Sequence, residues 1–125
     1  MKIDIPHATV EAGQDFKLEL DDQGGAMVAI KVEIFQDDNA RKTIFHAQTI
    51  KGPKTEPVQL SPGKYDCFVT IGATRSQRSL GGTYKSFVTM IDTAGDRILL
   101  CSAKGSVPKT RPSDVDSDQL TLAVS

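Results

Sequence analysis

The sequence predicts an all-β fold, an antiparallel β-sandwich of about eight strands. Three observations carry this prediction. Short runs of alternating apolar and polar residues recur along the chain, turn-forming segments separate them, and no window shows a sustained, capped helical stripe. A chain of 125 residues fits one domain, so residues 1–125 are predicted to form a single β-sandwich.

Four runs alternate cleanly enough to predict which side chains face the core. They are DFKLEL, VAIKVEIF, KYDCFVTI and DQLTLAV. Each is typical of a strand with one buried face. The predicted inward sets are Phe16, Leu18 and Leu20; Val28, Ile30, Val32 and Ile34; Tyr65, Cys67, Val69 and Ile71; and Leu120, Leu122 and Val124. Three further runs, TIFHAQTI, TYKSFVTMI and RILLCSA, are predicted strands whose inward faces stay undetermined.

The segments between these runs have the composition of turns. They include DDQGG, QDDNA, KGPK, SPGK, SLGG and TAGD. Gly supplies positive φ, Pro presets φ, and Asp and Asn bond to nearby backbone groups. Residues 104–117 are rich in Pro, Ser, Lys and Asp, and are predicted to form a long surface loop before the last strand.

The stretch SPGKYDC, residues 61–67, predicts a tight turn that leads into a strand. Pro62 and Gly63 occupy the second and third positions of a type II turn, which those residue types favour. Tyr65 then enters the strand facing the core. We expect its hydroxyl to bond back to the preceding connection, as in a tyrosine corner. Pro62, Gly63 and Tyr65 are therefore predicted structural residues.

This stretch resembles the D-x-G-x-Y-x-C signature of immunoglobulin domains, with Ser61 in the place of the Asp. It also resembles the L-x-P-G-x-Y turn of bacterial immunoglobulin-like and prealbumin-like sandwiches, here Leu60 to Tyr65. Both resemblances imply an Ig-like sandwich, a fold shared by many unrelated functions. The disulfide of the immunoglobulin pattern is missing, because no cysteine lies upstream of Cys67 and the chain has no Trp.

The only cysteines, Cys67 and Cys101, both lie inside apolar runs. We predict that both are buried free thiols that pack as small hydrophobic side chains. A disulfide between them is the alternative. A reactive thiol is less favoured, since no His lies close to either in sequence.

The charge balance argues against a polyanionic partner. The chain has 15 Lys and Arg against 16 Asp and Glu, which gives no overall field towards nucleic acid or an anionic membrane. The N-terminal residues lack the apolar stretch of a signal peptide, and no apolar run reaches transmembrane length. We therefore expect a cytoplasmic protein, or a virion protein if a phage encodes it.

The segment ATRSQRSLGGTYK is the first candidate for a binding site. It is basic, rich in Ser and Gly, and long for a hairpin tip, and such loops on a rigid scaffold often carry binding. A mobile polar loop without a ligand is the plainer alternative, and we expect residues 75–83 to move more than the strands beside them. The candidate binding residues are Arg75, Arg78, Gly81, Gly82, Tyr84 and Lys85.

No pattern in the sequence indicates catalysis, a metal or a cofactor. Asp114, Asp116 and Asp118 alternate as in a calcium loop, but the Gly and the closing Glu of such a loop are absent, so an acidic solvated turn is favoured. His7 and His46 are the only histidines, and they do not combine with the cysteines in a metal-ligand spacing. We therefore predict no catalytic, metal or cofactor site.

The second half of the chain is loosely similar to the chagasin family of cysteine-protease inhibitors. The matching pieces are LGGTYKSFV, TAGDRILL and RPSDVDSDQLTL. Those inhibitors are Ig-like sandwiches whose G-x-G-G, R-P-aromatic and N-P-T-T-G loops plug a protease cleft. Here Gly81-Gly82 and Arg111-Pro112 match in part, Ser113 replaces the aromatic, and the N-P-T-T-G loop has no counterpart.

Together these observations predict a non-catalytic module that binds protein or self-associates, for example as a phage or virion structural or accessory component. A carbohydrate or other small-ligand binding module is one alternative, although the chain has few aromatic side chains for a sugar platform. A chagasin-like cysteine-protease inhibitor is the other.

Overall fold

The structure, a computed structural model, describes residues 1–36, 43–49, 53–74, 82–108 and 113–125. The described residues contain nine strands and no helix. The strands are β1 (Thr9–Ala12), β2 (Asp15–Gly24), β3 (Met27–Gln36), β4 (Thr43–Thr49), β5 (Lys54–Gln59), β6 (Gly63–Thr74), β7 (Thr83–Asp92), β8 (Arg97–Ser106) and β9 (Ser113–Val124). Accordingly, the described part of the chain includes no helix that is long and apolar enough to cross a membrane.

The strands form two sheets, as the predicted all-β sandwich requires. The five-stranded sheet has the order β1-β9-β6-β3-β4, and the four-stranded sheet has the order β5-β2-β7-β8. All strand pairs are antiparallel except β1 and β9, which run parallel. The core lies between the two sheets and consists mainly of aliphatic side chains.

The predicted inward sets are confirmed. Every member of the four sets is at most 6% exposed. The three ambiguous runs also form strands, β4, β7 and β8, with Val88, Met90, Leu100, Cys101 and Ala103 among their buried residues. Because side chains in a strand alternate between the faces, one buried face fixes the register of each strand.

Two strands were not predicted from the sequence. β1 has only four residues, too few for a clear alternation, and it pairs with β9 alone. β5 contains Pro57, which argues against a central strand because Pro has no backbone N–H to donate to a neighbouring strand. β5 lies at a sheet edge and pairs only with β2, so a proline is tolerated there.

The prediction of a surface loop over residues 104–117 is wrong for most of these residues, which belong to strands. β8 continues to Ser106, and β9 begins at Ser113. The polar residues of β9 pair with the far half of the twelve-residue strand β6, where Ala73 lies opposite Asp114 and Ile71 opposite Asp116. A buried partner strand therefore imposes strand structure on a segment with a turn-like composition.

The turn before β6 holds Tyr65 as the sequence predicts. Tyr65 is 4% exposed, and its hydroxyl donates a hydrogen bond of 2.7 Å to the carbonyl oxygen of Ser61. Gly63 has a φ of 151°, larger than the roughly 80° of a type II turn, because it already pairs with Val124 as the first residue of β6. Pro62 is exposed immediately before the strand.

Cys67 and Cys101 are both buried free thiols, which confirms the prediction. Burial raises the pKa of each thiol to about 12, and the neighbouring Cys67 is a second cause for Cys101. At neutral pH neither thiol supplies a thiolate nucleophile.

Candidate functional site

Three connections leave the two sheets at the same end of the sandwich. In the five-stranded sheet, Thr74 at the end of β6 lies opposite both Met27 and Ser113. In the four-stranded sheet, Tyr84 lies opposite both Gly24 and Gly105. The β2–β3, β6–β7 and β8–β9 connections therefore begin and end side by side. We call this end the tip and define it by residues 24–26, 82–84 and 106–107.

Backbone hydrogen bonds tie the three connections together. The Ala26 N–H donates to the carbonyl oxygen of Thr83 at 3.1 Å, which joins the β2–β3 turn to the start of β7. The Val107 N–H donates to the carbonyl oxygen of Gly82 at 2.7 Å, which joins the β8–β9 connection to the β6–β7 connection. Ala26, Gly82 and Val107 are all buried, so these bonds form at the end of the core and hold the tip in place.

Gly24 allows the β2–β3 turn to lie close to β7. Its φ is 115°, a conformation that side-chain-bearing residues rarely adopt. A Cβ atom at this position would lie 2.3 Å from the carbonyl oxygen of Thr83. That oxygen is the acceptor for Ala26, so glycine at position 24 is a requirement of the tip geometry.

The predicted binding residues have different positions in the structure. Gly82 lies in the tip, and Lys85 is exposed on the outer face of β7. Tyr84 is only 2% exposed and faces the core, so its ring is not available to a partner. Arg75, Arg78 and Gly81 lie outside the described residues, as do Arg111, Pro112 and most of the segment for which motion was expected.

Tyr84 instead connects the two sheets. Its hydroxyl oxygen lies 2.8 Å from the place where a Cβ of Gly105 would be, so the ring fills the space left by that glycine. The hydroxyl also lies against Asp114 of β9; burial, followed by the charge of Asp114, raises the pKa of Tyr84. The alternation of TYKSFV did not settle this orientation, because both Tyr and its polar neighbours are common on outer faces.

The alternating aspartates lie on strand β9 and not in a turn, so the prediction of an acidic solvated turn is wrong. The carboxylate of Asp114 forms an ion pair with the amino group of Met1, with an N–O distance of 2.6 Å. The carboxylate of Asp116 accepts a hydrogen bond of 2.8 Å from the backbone N–H of Ile3. The hydrogen bond from that amino group is the largest of the effects that lower the pKa of Asp114. Two of the three carboxylates therefore hold the first residues of the chain across the space between β8 and β9.

The described residues do not assemble a metal centre. Among them, no group of three or more His, Cys, Asp or Glu side chains could hold a metal ion. His7 and His46 are both exposed, whereas the two thiols are buried in the core. At the tip, two backbone hydrogen bonds join three connections, and we take this end of the sandwich as the candidate functional site.

No protein-family model, no curated protein and no solved structure matches this chain.

Proposed function

We propose that this protein is a non-catalytic β-sandwich module that binds or assembles with protein through the tip. The observation that carries the proposal is the pair of hydrogen bonds, Ala26 to Thr83 and Val107 to Gly82, that join three chain connections at one end. Binding on all-β scaffolds concentrates in such connections, because the sheets hold them while their sequences are free to vary.

The two backbone hydrogen bonds of the tip favour binding. Association is opposed by the entropy lost when surface groups become ordered, and a preorganised surface loses less of it. The tip is anchored to the buried residues Ala26, Gly82 and Val107, so its backbone is already held before a partner arrives.

Site-specific photo-crosslinking tests this proposal. A photoreactive amino acid is placed at Thr83 in the tip or, as the control, at Thr93 in the turn after β7 at the opposite end; both are exposed. Each protein is irradiated in an extract of the organism that encodes it. We expect a defined adduct from position 83 and not from position 93. An adduct of twice the chain mass indicates self-association, and another mass indicates a different protein. Equal adducts from both positions, or none from position 83, contradict the proposal.

A cysteine-protease inhibitor of the chagasin type is the second candidate. The hydrogen bond from Val107 to Gly82 supports it, because it joins the connections that contain the two partial motifs, Gly81-Gly82 and Arg111-Pro112. The test is the hydrolysis of a peptide substrate by papain at increasing concentrations of the protein. Saturable inhibition that is lost in Gly24→Ala but kept in Gly13→Ala is expected of an inhibitor; unchanged hydrolysis contradicts it.

Carbohydrate binding receives less support. The large hydrophobic side chains exposed in the described part of the chain are Met27, Ile44, Leu99 and Val115, and none is aromatic. A sugar platform would require exposed aromatic rings.

A further inference from the structure

A groove with a basic rim lies on the outer face of the four-stranded sheet, beside the tip. Its volume is about 520 Å³, and Lys2, Lys85 and Lys104 line it together with Phe87 and Ser102. The three lysines are exposed, whereas Phe87 is half-buried and forms part of the floor. The groove adjoins a second one of about 620 Å³, which shares Lys85 and Lys104 and extends to Gly24 and Thr83 of the tip.

The arrangement of the lysines is unfavourable for the protein alone. Lys85 of β7 lies directly opposite Lys104 of β8, and both side chains point outwards. Like charges directly opposite across two strands destabilise a sheet. Neither lysine, nor Lys2, forms an ion pair within the described part of the chain. Sequences accept such local conflicts mainly at functional sites.

The lining of the groove contains three lysines and one acidic residue. Asp4 lines the groove, and its backbone pairs with Ser102 of β8. Asp21 of β2 lies opposite Phe87 and is half-buried. Elsewhere on the same sheet, Arg97 has a partner in Glu19 at 2.9 Å. The rim is thus a local excess of unpaired cations on a protein whose net charge is -1.

We propose that this groove binds an acidic segment of a protein partner, with Asp or Glu carboxylates on the three lysines and an apolar group over Phe87. The inference rests on the proposed function, because the segment would belong to the protein that the tip contacts. Electrostatic complementarity of this kind favours the rate and specificity of association. A nucleic acid is the competing occupant, because its phosphates would meet the same three lysines, and an oligonucleotide of equal charge distinguishes it from an acidic segment.

The test uses fluorescein-labelled hexaglutamate as the probe and fluorescence anisotropy at low ionic strength. Lys104→Glu is compared with the control Lys64→Glu, which makes the same charge change at an exposed lysine at the start of β6, away from the groove. We expect Lys104→Glu to weaken probe binding at least about fivefold and Lys64→Glu to weaken it less than about twofold. Binding to the wild-type protein should fall as salt is added.

Three results would overturn the inference: no binding of hexaglutamate at low salt, equal weakening by both variants, or tighter binding of a labelled oligothymidylate of equal charge. Lys104→Glu should keep the fold, because the substitution replaces a repulsive pair by an attractive one. The result is independent of the crosslinking experiment. A crosslink at the tip without hexaglutamate binding would agree with the proposed function and contradict only the inferred role of the groove.

Discussion

The Tyr65 hydroxyl donates a hydrogen bond of 2.7 Å to the carbonyl oxygen of Ser61, and its ring is 4% exposed. Tyr65→Phe leaves that carbonyl without its donor and should lower the free energy of unfolding by about 1 to 3 kcal/mol. Tyr65→Ala also removes the ring and should lower it by about 3 to 5 kcal/mol. Asp66→Ala, on the opposite face of β6, should change it by within about 0.5 kcal/mol. Urea unfolding of the three variants checks this order, and a larger effect for Asp66→Ala than for Tyr65→Ala would contradict it.

Gly24→Ala should destabilise the protein by about 2 kcal/mol or more. A positive φ costs an L-residue about 1 to 2 kcal/mol, and the new methyl group also displaces the Thr83 carbonyl oxygen, 2.3 Å away. The matched control is Gly13→Ala, since a Cβ at Gly13 meets nothing within 4 Å. That variant should be neutral or stabilised by up to about 1 kcal/mol. Thermal and urea unfolding compare the two, and equal stabilities would contradict the tip geometry.

The buried thiols should make the protein less stable as the pH rises above about 9. Burial raises the pKa of Cys67 and Cys101 from 9.0 to about 12. Well below pH 9 both thiols are protonated in the folded and the unfolded state, so they add no pH dependence there. Between the unfolded-state pKa of 9.0 and the folded-state pKa of about 12, the unfolded chain loses thiol protons that the folded protein keeps. The free energy of unfolding therefore falls by roughly 1.4 kcal/mol per pH unit for each thiol. Urea unfolding from pH 8 to 11 measures the slope, which Cys67→Ala/Cys101→Ala should make shallower. An unchanged slope would show that the thiols do not contribute.

Lys104→Glu should stabilise the protein by about 0.2 to 1 kcal/mol. It places opposite charges across β7 and β8 where Lys85 and Lys104 now repel each other. The control Lys64→Glu has no such partner. A gain in stability together with weaker hexaglutamate binding would be the signature of a functional charge conflict. A loss of stability, measured by urea unfolding at low salt, would mean that the two side chains do not interact as their register indicates.

Ser86→Ala should leave the stability unchanged or raise it by up to about 1 kcal/mol. Ser86 is completely buried, and its hydroxyl has no hydrogen-bond partner in the described structure. An unsatisfied buried hydroxyl costs free energy that its removal recovers. Ser117→Ala, which removes a hydroxyl bonded to Thr70 at 3.1 Å, is the contrasting variant and should cost a few tenths of a kcal/mol. A clear loss of stability in Ser86→Ala would indicate a partner for the hydroxyl.

Much of the fold could be predicted from local patterns. In β2, β3, β6 and the second half of β9, a set of apolar residues occupies alternate positions, and a half-buried strand places that whole set on one buried face. The inward position of Tyr65 follows from its spacing, whereas the predicted type II turn does not form as such, because Gly63 already belongs to β6. The burial of both cysteines also follows from local sequence, because each lies inside an apolar run.

The candidate site was only partly predictable. Gly82 and Lys85 belong to the segment that composition singled out, but Tyr84 proved to face the core, where it lies against Asp114 of the other sheet. The composition of residues 104–117 predicts a loop, so the sequence does not indicate that Lys104 lies opposite Lys85. The sequence around Gly24 predicts only a turn, because the contact of Gly24 with Thr83 joins positions far apart in sequence.

Local sequence thus accounts for which segments become strands and which of their faces are buried, because alternation and turn chemistry act over a few residues. Only the tertiary structure decides that the polar half of β9 is a strand, that Pro57 lies at an edge, and that three connections meet at one tip. These features depend on which strands pair. Pairing is set by the burial of two whole sheet faces against each other, a property of the complete chain that no single segment contains.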